Sequence, residues 1–121
     1  MNKRTWGKFF EDLAIDFLEK KGYKIVCRNF ACSFGEVDII AEKNGILCFI
    51  EVKARSKRLY GTALEAITPS KQRKIVKVAE YYCMKNKIIN RPLRFEALGI
   101  ELLNNEPSFD HVENILIDIY G

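Results

Sequence analysis

Two apolar segments constrain the fold of this chain more than anything else in it. Phe34-Gly35-Glu36-Val37-Asp38-Ile39-Ile40-Ala41 and Cys48-Phe49-Ile50-Glu51-Val52-Lys53-Ala54-Arg55 are β-branched and apolar, and Lys43-Asn44-Gly45 separates them. Such a pair predicts two strands joined by a short turn. Yet Asp38, Glu51 and Lys53 are set inside these runs, where a charge is costly unless it is paired or binds something.

The rest of the chain predicts what this hairpin packs against. Trp6, Phe9, Phe10, Leu13, Ala14, Phe17 and Leu18 recur at helical spacing over Trp6–Lys21. Thr5 is the expected cap, and Lys20-Lys21-Gly22 is a C-terminal signature. Glu11 falls on the edge of the apolar stripe, about 20° from Leu18. Tyr23–Phe30 reads as a first strand and Ala31–Gly35 as a mobile loop of small residues. Beyond the hairpin come a basic loop over Arg55–Tyr60 and a Thr62-x-x-Glu65 capping box opening a short helical turn. Thr68-Pro69 then starts a second helix, running to about Asn86. Ile75, Val78, Ala79 and Tyr82 mark its inner face, with Lys71 one turn earlier on the same side and Arg73, Lys74 and Lys77 outside. Leu93–Leu103 reads as a further strand, Asn104-Asn105 as a turn, and Phe109–Tyr120 as a last strand or a helix. This order predicts a single α/β domain over residues 1–121, a mixed sheet flanked by helices.

Composition narrows the function classes. No apolar run approaches the roughly 20 residues needed to span a bilayer, and the N-terminus carries no signal-peptide block; a soluble, cytoplasmic protein is expected. The four cysteines, Cys27, Cys32, Cys48 and Cys83, are scattered and unpaired by motif, which argues against a zinc site of that kind and a disulfide framework. His111, the single histidine, is expected at the surface or a sheet edge. From Val52 to Arg91 eleven Lys/Arg face two acids, a net +9, while the remainder holds nine bases and fourteen acids, a net −5. That asymmetry points to a polyanionic partner, against the plainer alternative of a solvated helix face.

Side chains two apart on a strand share a face, so Glu51 projects with Lys53, and Glu36 with Asp38 and Ile40. Hairpin pairing brings Asp38 beside Glu51, and two carboxylates at that distance repel unless a proton or cation lies between them. Oxygen ligands with room for water suit Mg²⁺ or Mn²⁺. An ordinary Asp–Lys or Glu–Lys ion pair on a half-exposed strand is the competing explanation, and from the residues alone both stand.

Gly35-Glu36-Val37-Asp38-Ile39-Ile40, Phe49-Ile50-Glu51-Val52-Lys53-Ala54-Arg55, Lys71 and the Arg94-Phe95 strand together resemble the YraN-like family of small bacterial proteins. That family is similar to archaeal Holliday-junction resolvases and to the PD-(D/E)xK nucleases. Val37 stands in place of the superfamily's Pro, Phe10 beside Glu11 in place of Gly, and Glu96 in place of Asp. The resemblance implies a restriction-endonuclease-like sheet and Mg²⁺- or Mn²⁺-dependent phosphodiester cleavage in DNA rather than RNA, with branched DNA a candidate substrate. It implies Asp38 and Glu51 as metal ligands, Lys53 as the catalytic lysine, and Glu11 as an additional ligand. Arg55, Lys57, Arg58, Tyr60, Lys71, Arg73, Lys74 and Lys77 are then the expected nucleic-acid contacts. A homodimer is expected by analogy with resolvases that act on symmetric substrates. The alternatives are a nucleic-acid-binding module with a vestigial or partner-dependent site, and a protein-interaction domain whose hairpin charges pair with one another.

Overall fold

The computed structural model describes residues 3–55 and 67–115. Within them the order is helix α1 (Lys3–Lys20), strands β1 (Lys24–Cys32), β2 (Gly35–Lys43) and β3 (Ile46–Arg55), helix α2 (Pro69–Lys85), and strands β4 (Leu93–Leu103) and β5 (Glu106–Val112). The Thr62-x-x-Glu65 box, Lys57, Arg58, Tyr60 and the segment after Ile115 lie outside the described residues, as does the side chain of Arg55.

The strands form one mixed sheet in the order β1-β2-β3-β4-β5. β3 and β4 are parallel, with α2 in the connection between them, and the other pairs are antiparallel. One side of the sheet carries Val37, Ile40, Leu47, Phe49, Phe95 and Ala97, packed with Ile75, Val78, Ala79 and Tyr82 of α2. The other carries Ile39, Ala41, Cys48, Ile50, Leu98 and Ile100, packed with Phe10, Ala14 and Leu18 of α1. Phe95 through Glu101 are all buried, as expected for a strand covered on both faces. The chain is an α/β fold, consistent with a restriction-endonuclease-like arrangement.

Local chemistry accounts for the punctuation. Gly22 (φ +93) closes α1 in a Schellman motif: its N–H donates to Glu19 O at 3.0 Å, and that of Tyr23 to Leu18 O at 3.0 Å. Asn44 and Gly45 (φ 51 and 80) make the two-residue turn of the hairpin. Thr68 caps α2, its Oγ1 accepting from Lys71 N at 3.2 Å, with Pro69 next.

Four expectations need correction. α1 has already begun at Lys3, so Thr5 sits inside the helix rather than capping it. Ala31, Cys32 and Gly35 belong to strands, because β1 and β2 pair down to Cys32↔Gly35 and satisfy the backbone there; the turn shrinks to Ser33-Phe34. Lys71 is exposed. The inner position of the first α2 turn goes to Gln72, whose amide donates to Ile67 O at 3.2 Å, and about 100° of helical rotation carries Lys71 to the flank. The last strand begins at Glu106, ahead of Phe109, because register with β4 extends out to Leu103↔Glu106.

Candidate metal and nucleic-acid site

The hairpin opens where its charges are. β2 and β3 pair from Lys43↔Ile46 up to Ile39↔Ile50, and there the register ends. One residue further, Asp38 substitutes its side chain for the missing backbone partner: Val52 N–H donates to Asp38 Oδ2 at 2.7 Å. The alternation of β2 slips at the same point. Ile39 and Ala41 lie beneath α1, but Val37 and Ile40, three residues apart, both lie beneath α2. Asp38 therefore does not simply share a face with Ile40, as strict alternation predicted; it stands in a fork between two splayed strands. β3 keeps its period. Ile50 and Val52 pack toward α1, which assigns Glu51 and Lys53, like Phe49, to the α2 side.

Electrostatics at the fork are unfavourable for two bare carboxylates. Burial pushes Glu51 up from the ordinary 4.5 to about 7, reinforced by the charge of Asp38 and opposed by Lys53. Burial also raises Asp38, against the Val52 N–H bond and Lys53, which favour its charged form; Glu36 and Glu11 add to the rise. The charge of Asp38 disfavours ionisation of Glu51, a repulsion that a proton on one of the two carboxyls relieves. Among the described residues Lys53 closes no ion pair within 4 Å with either one, so the ordinary ion-pair explanation loses its contact.

This donor set fits a hard divalent cation. It offers two desolvated carboxylates in place of thiols or imidazoles, and a positive charge would replace the proton between them. Glu11 is nearby but otherwise engaged: its Oε1 accepts from Arg28 Nε at 2.7 Å and from Asn29 Nδ2 at 3.1 Å. Among the described residues no three His, Cys, Asp or Glu side chains converge on one cation position. Asp38 and Glu51 are a pair, with Glu11 set apart from them.

Of the expected nucleic-acid contacts, Lys71, Arg73, Lys74 and Lys77 are exposed along α2. The helix covers the α2 side of the sheet, to which Glu51 and Lys53 also belong.

A model of the uncharacterised protein family UPF0102 matches residues 10–100, which include α1 from Phe10, the fork and α2. The chain belongs to the UPF0102 family. It is 48% identical to a UPF0102 protein of Clostridium perfringens, over 80% of both chains. A relative from Caldicellulosiruptor saccharolyticus is 41% identical over 98% of this chain and 94% of its own. One from Myxococcus xanthus is 33% identical over 91% and 87%. UPF0102 is the YraN-like family indicated by the sequence motifs.

A second polar cluster in this UPF0102 chain escaped the sequence reading. Glu96 on β4 is fully buried and accepts from Tyr23 Oη at 3.0 and 3.1 Å and from Arg94 Nε at 2.7 Å. His111 Nε2 lies 2.8 Å from Glu96 Oε1, and Lys21 Nζ lies 2.8 Å from His111 Nδ1. An ammonium only donates, so Nδ1 accepts and Nε2–H donates to Glu96. His111 is on an edge strand, as expected, but its side chain is only 5% exposed; a surface position is corrected by the cover of Phe17 and Tyr23. The only signal in the sequence was a lone Glu in an apolar strand.

The fork yields a pH prediction. Glu51 has a raised pKa in the folded state, so folding binds its proton more tightly and favours low pH. Its stabilising effect is complete below about 4.5 and is lost as pH rises through about 7. Thermal denaturation of the cation-free protein between pH 5 and 8 should show the wild type losing ground to Glu51→Gln. Parallel profiles for the two proteins would show that the fork does not hold this proton.

Proposed function

We propose that this chain is a metal-dependent endonuclease-like protein that hydrolyses phosphodiester bonds in DNA, branched DNA among them. The observation that carries the proposal is the Asp38–Glu51 pair, drawn together at the sheet fork with Lys53 on the same strand face as Glu51. Asp38 and Glu51 would hold Mg²⁺ or Mn²⁺, which supplies Lewis acidity toward a phosphoryl oxygen and lowers the pKa of a water. The Val52 N–H bond orients the Asp38 carboxylate. The Lys53 ammonium offsets negative charge developing on the phosphorus oxygens. Lys71, Arg73, Lys74 and Lys77 take the backbone phosphates, which positions the duplex without reading its sequence.

One observation favours a second reading, a nucleic-acid-binding module that does not cut: Glu11 is occupied by Arg28 and Asn29 rather than joined to the pair. Labelled linear, flapped and four-way DNA incubated with Mg²⁺ or Mn²⁺ separates the two. Cleavage by the wild type is the expected result. Salt-sensitive gel shifts on the same substrates, with no cleavage under either cation, would establish the binding module instead.

A further inference from the structure

Trp6 and Phe9, one turn apart on α1, are 40% and 38% exposed. Their rings lie nearly parallel, with centroids 6.2 Å apart and 24° between the planes. Phe10, itself buried, meets both edge to face at 4.8 and 5.3 Å and so props the two rings from beneath. A side chain at Gly7 would meet nothing within 4 Å of its Cβ, so the surface beside Trp6 is open. The setting is basic. From Lys3 to Phe10 the chain has Lys3, Arg4 and Lys8 and no acid. Glu11 and Asp12 of the next turn are both held by Arg28, at 2.7 and 2.8 Å. Four bases therefore meet two acids, and this end of the helix keeps a net +2. Scattered exposed apolar residues are ordinary; fixed, parallel π faces in a basic setting are what single-strand binders use. The pairing of Arg28 with Ile39 puts the Glu11 turn next to the level of Asp38, on the β1 edge of the sheet. Trp6 lies about 7.5 Å of helix beyond Glu11, equivalent to about two nucleotides along a strand.

We propose that Trp6 and Phe9 form a stacking platform for unpaired bases, so that the chain prefers DNA carrying a single-stranded arm to blunt duplex. This inference rests on the nucleic-acid reading above and names the part of the substrate that the basic face of α2 does not distinguish. Phosphates are common to paired and unpaired strands, whereas a base offers its π face only when it is unstacked. The basic end of α1 draws the strand in through its phosphates, and the two rings take its bases.

Trp6 is the only tryptophan in the chain, so its fluorescence reports on this surface alone. With EDTA present to withhold metal, oligo-dT of about 12 nucleotides should quench it, as should flapped DNA. Blunt duplex should bind without quenching. Trp6→Leu and Phe9→Leu each keep an apolar cover over Phe10 while removing a π face, and circular dichroism checks that both variants fold. Each should weaken oligo-dT binding, read by the anisotropy of labelled DNA, about tenfold and leave blunt-duplex binding unchanged. Binding of both DNAs that neither substitution moves, or that falls equally on duplex and single strand, would overturn the platform alone. Binding of neither DNA at low salt would overturn the nucleic-acid reading and the platform together. A dimer in sedimentation that Trp6→Leu dissociates would assign the rings to a second copy of the chain, which also overturns the platform.

Discussion

Asp38→Asn is expected to lower Mg²⁺-dependent DNA cleavage about a thousandfold, equivalent to some 4 kcal/mol of transition-state stabilisation, while leaving the protein folded. The substitution keeps an oxygen for the Val52 N–H, now 2.7 Å from Asp38 Oδ2, so the splayed end of the hairpin stays anchored. It removes one of the two negative charges that make the fork attractive to a cation. A thermal shift provides the second readout. A ligand at 100 times its dissociation constant stabilises the native state by about 2.7 kcal/mol, so Mn²⁺ should raise the wild-type midpoint and leave Asp38→Asn unmoved. Full cleavage by the variant would eliminate Asp38 as a ligand. Loss of cleavage with an unchanged gel shift would confirm that DNA binding resides elsewhere, on the exposed lysines and arginine of α2.

The second large effect is on stability. Glu96→Ala should cost about 3–5 kcal/mol, the range for removing one partner of a buried charged cluster. Tyr23, Arg94 and His111 all converge on this carboxylate at 2.7–3.1 Å. Without it, a guanidinium and two other donors face an apolar sheet surface. Urea denaturation should show the midpoint falling with the slope preserved. A loss below 1 kcal/mol would mean that the cluster relaxes into water when the acceptor goes.

Two glutamates on neighbouring strands of the same sheet thus behave in opposite ways. Burial alone would raise Glu96, but the hydrogen bonds of His111 and Arg94, with those of Tyr23, hold it below the ordinary glutamate value. Its contribution is complete above about 4.5 and is lost as pH falls through its folded-state pKa. At Glu51 burial, joined by the like charge of Asp38, prevails over the opposing Lys53 and the shift is upward. The partners decide whether the upward push of burial is reversed.

Residue order alone carried the two helices, the β2–β3 hairpin, the Thr68-Pro69 start and the closeness of Asp38 to Glu51. Each follows from periodicity or short-range chemistry, which operates within a few residues. The Lys71 expectation failed on a single helical step, because the spacing of apolar residues defines a stripe without saying which polar neighbour completes it. Position by position, the departures are clearest where strands meet. The slip at Asp38 depends on how β3 diverges from β2, and the left-handed Asn29 is intelligible only with Glu11 of α1 in front of it.

Residue identity by itself determined an α/β sheet with helices on both sides, a hairpin bearing misplaced charges, and a basic half next to them. Tertiary structure decided which of those charges meet. Asp38 and Glu51 come together because the ladder ends between them. Glu11 is held on Arg28 and Asn29 by contacts 17 and 18 residues away in sequence. Glu96, noted in the sequence only as standing in place of Asp, gains partners from three separate elements, the Tyr23 loop, β4 and β5. The physical reason is one of range. Local pattern sets which face a residue takes, whereas the free energy of a buried charge depends on groups that only packing brings within a few ångströms.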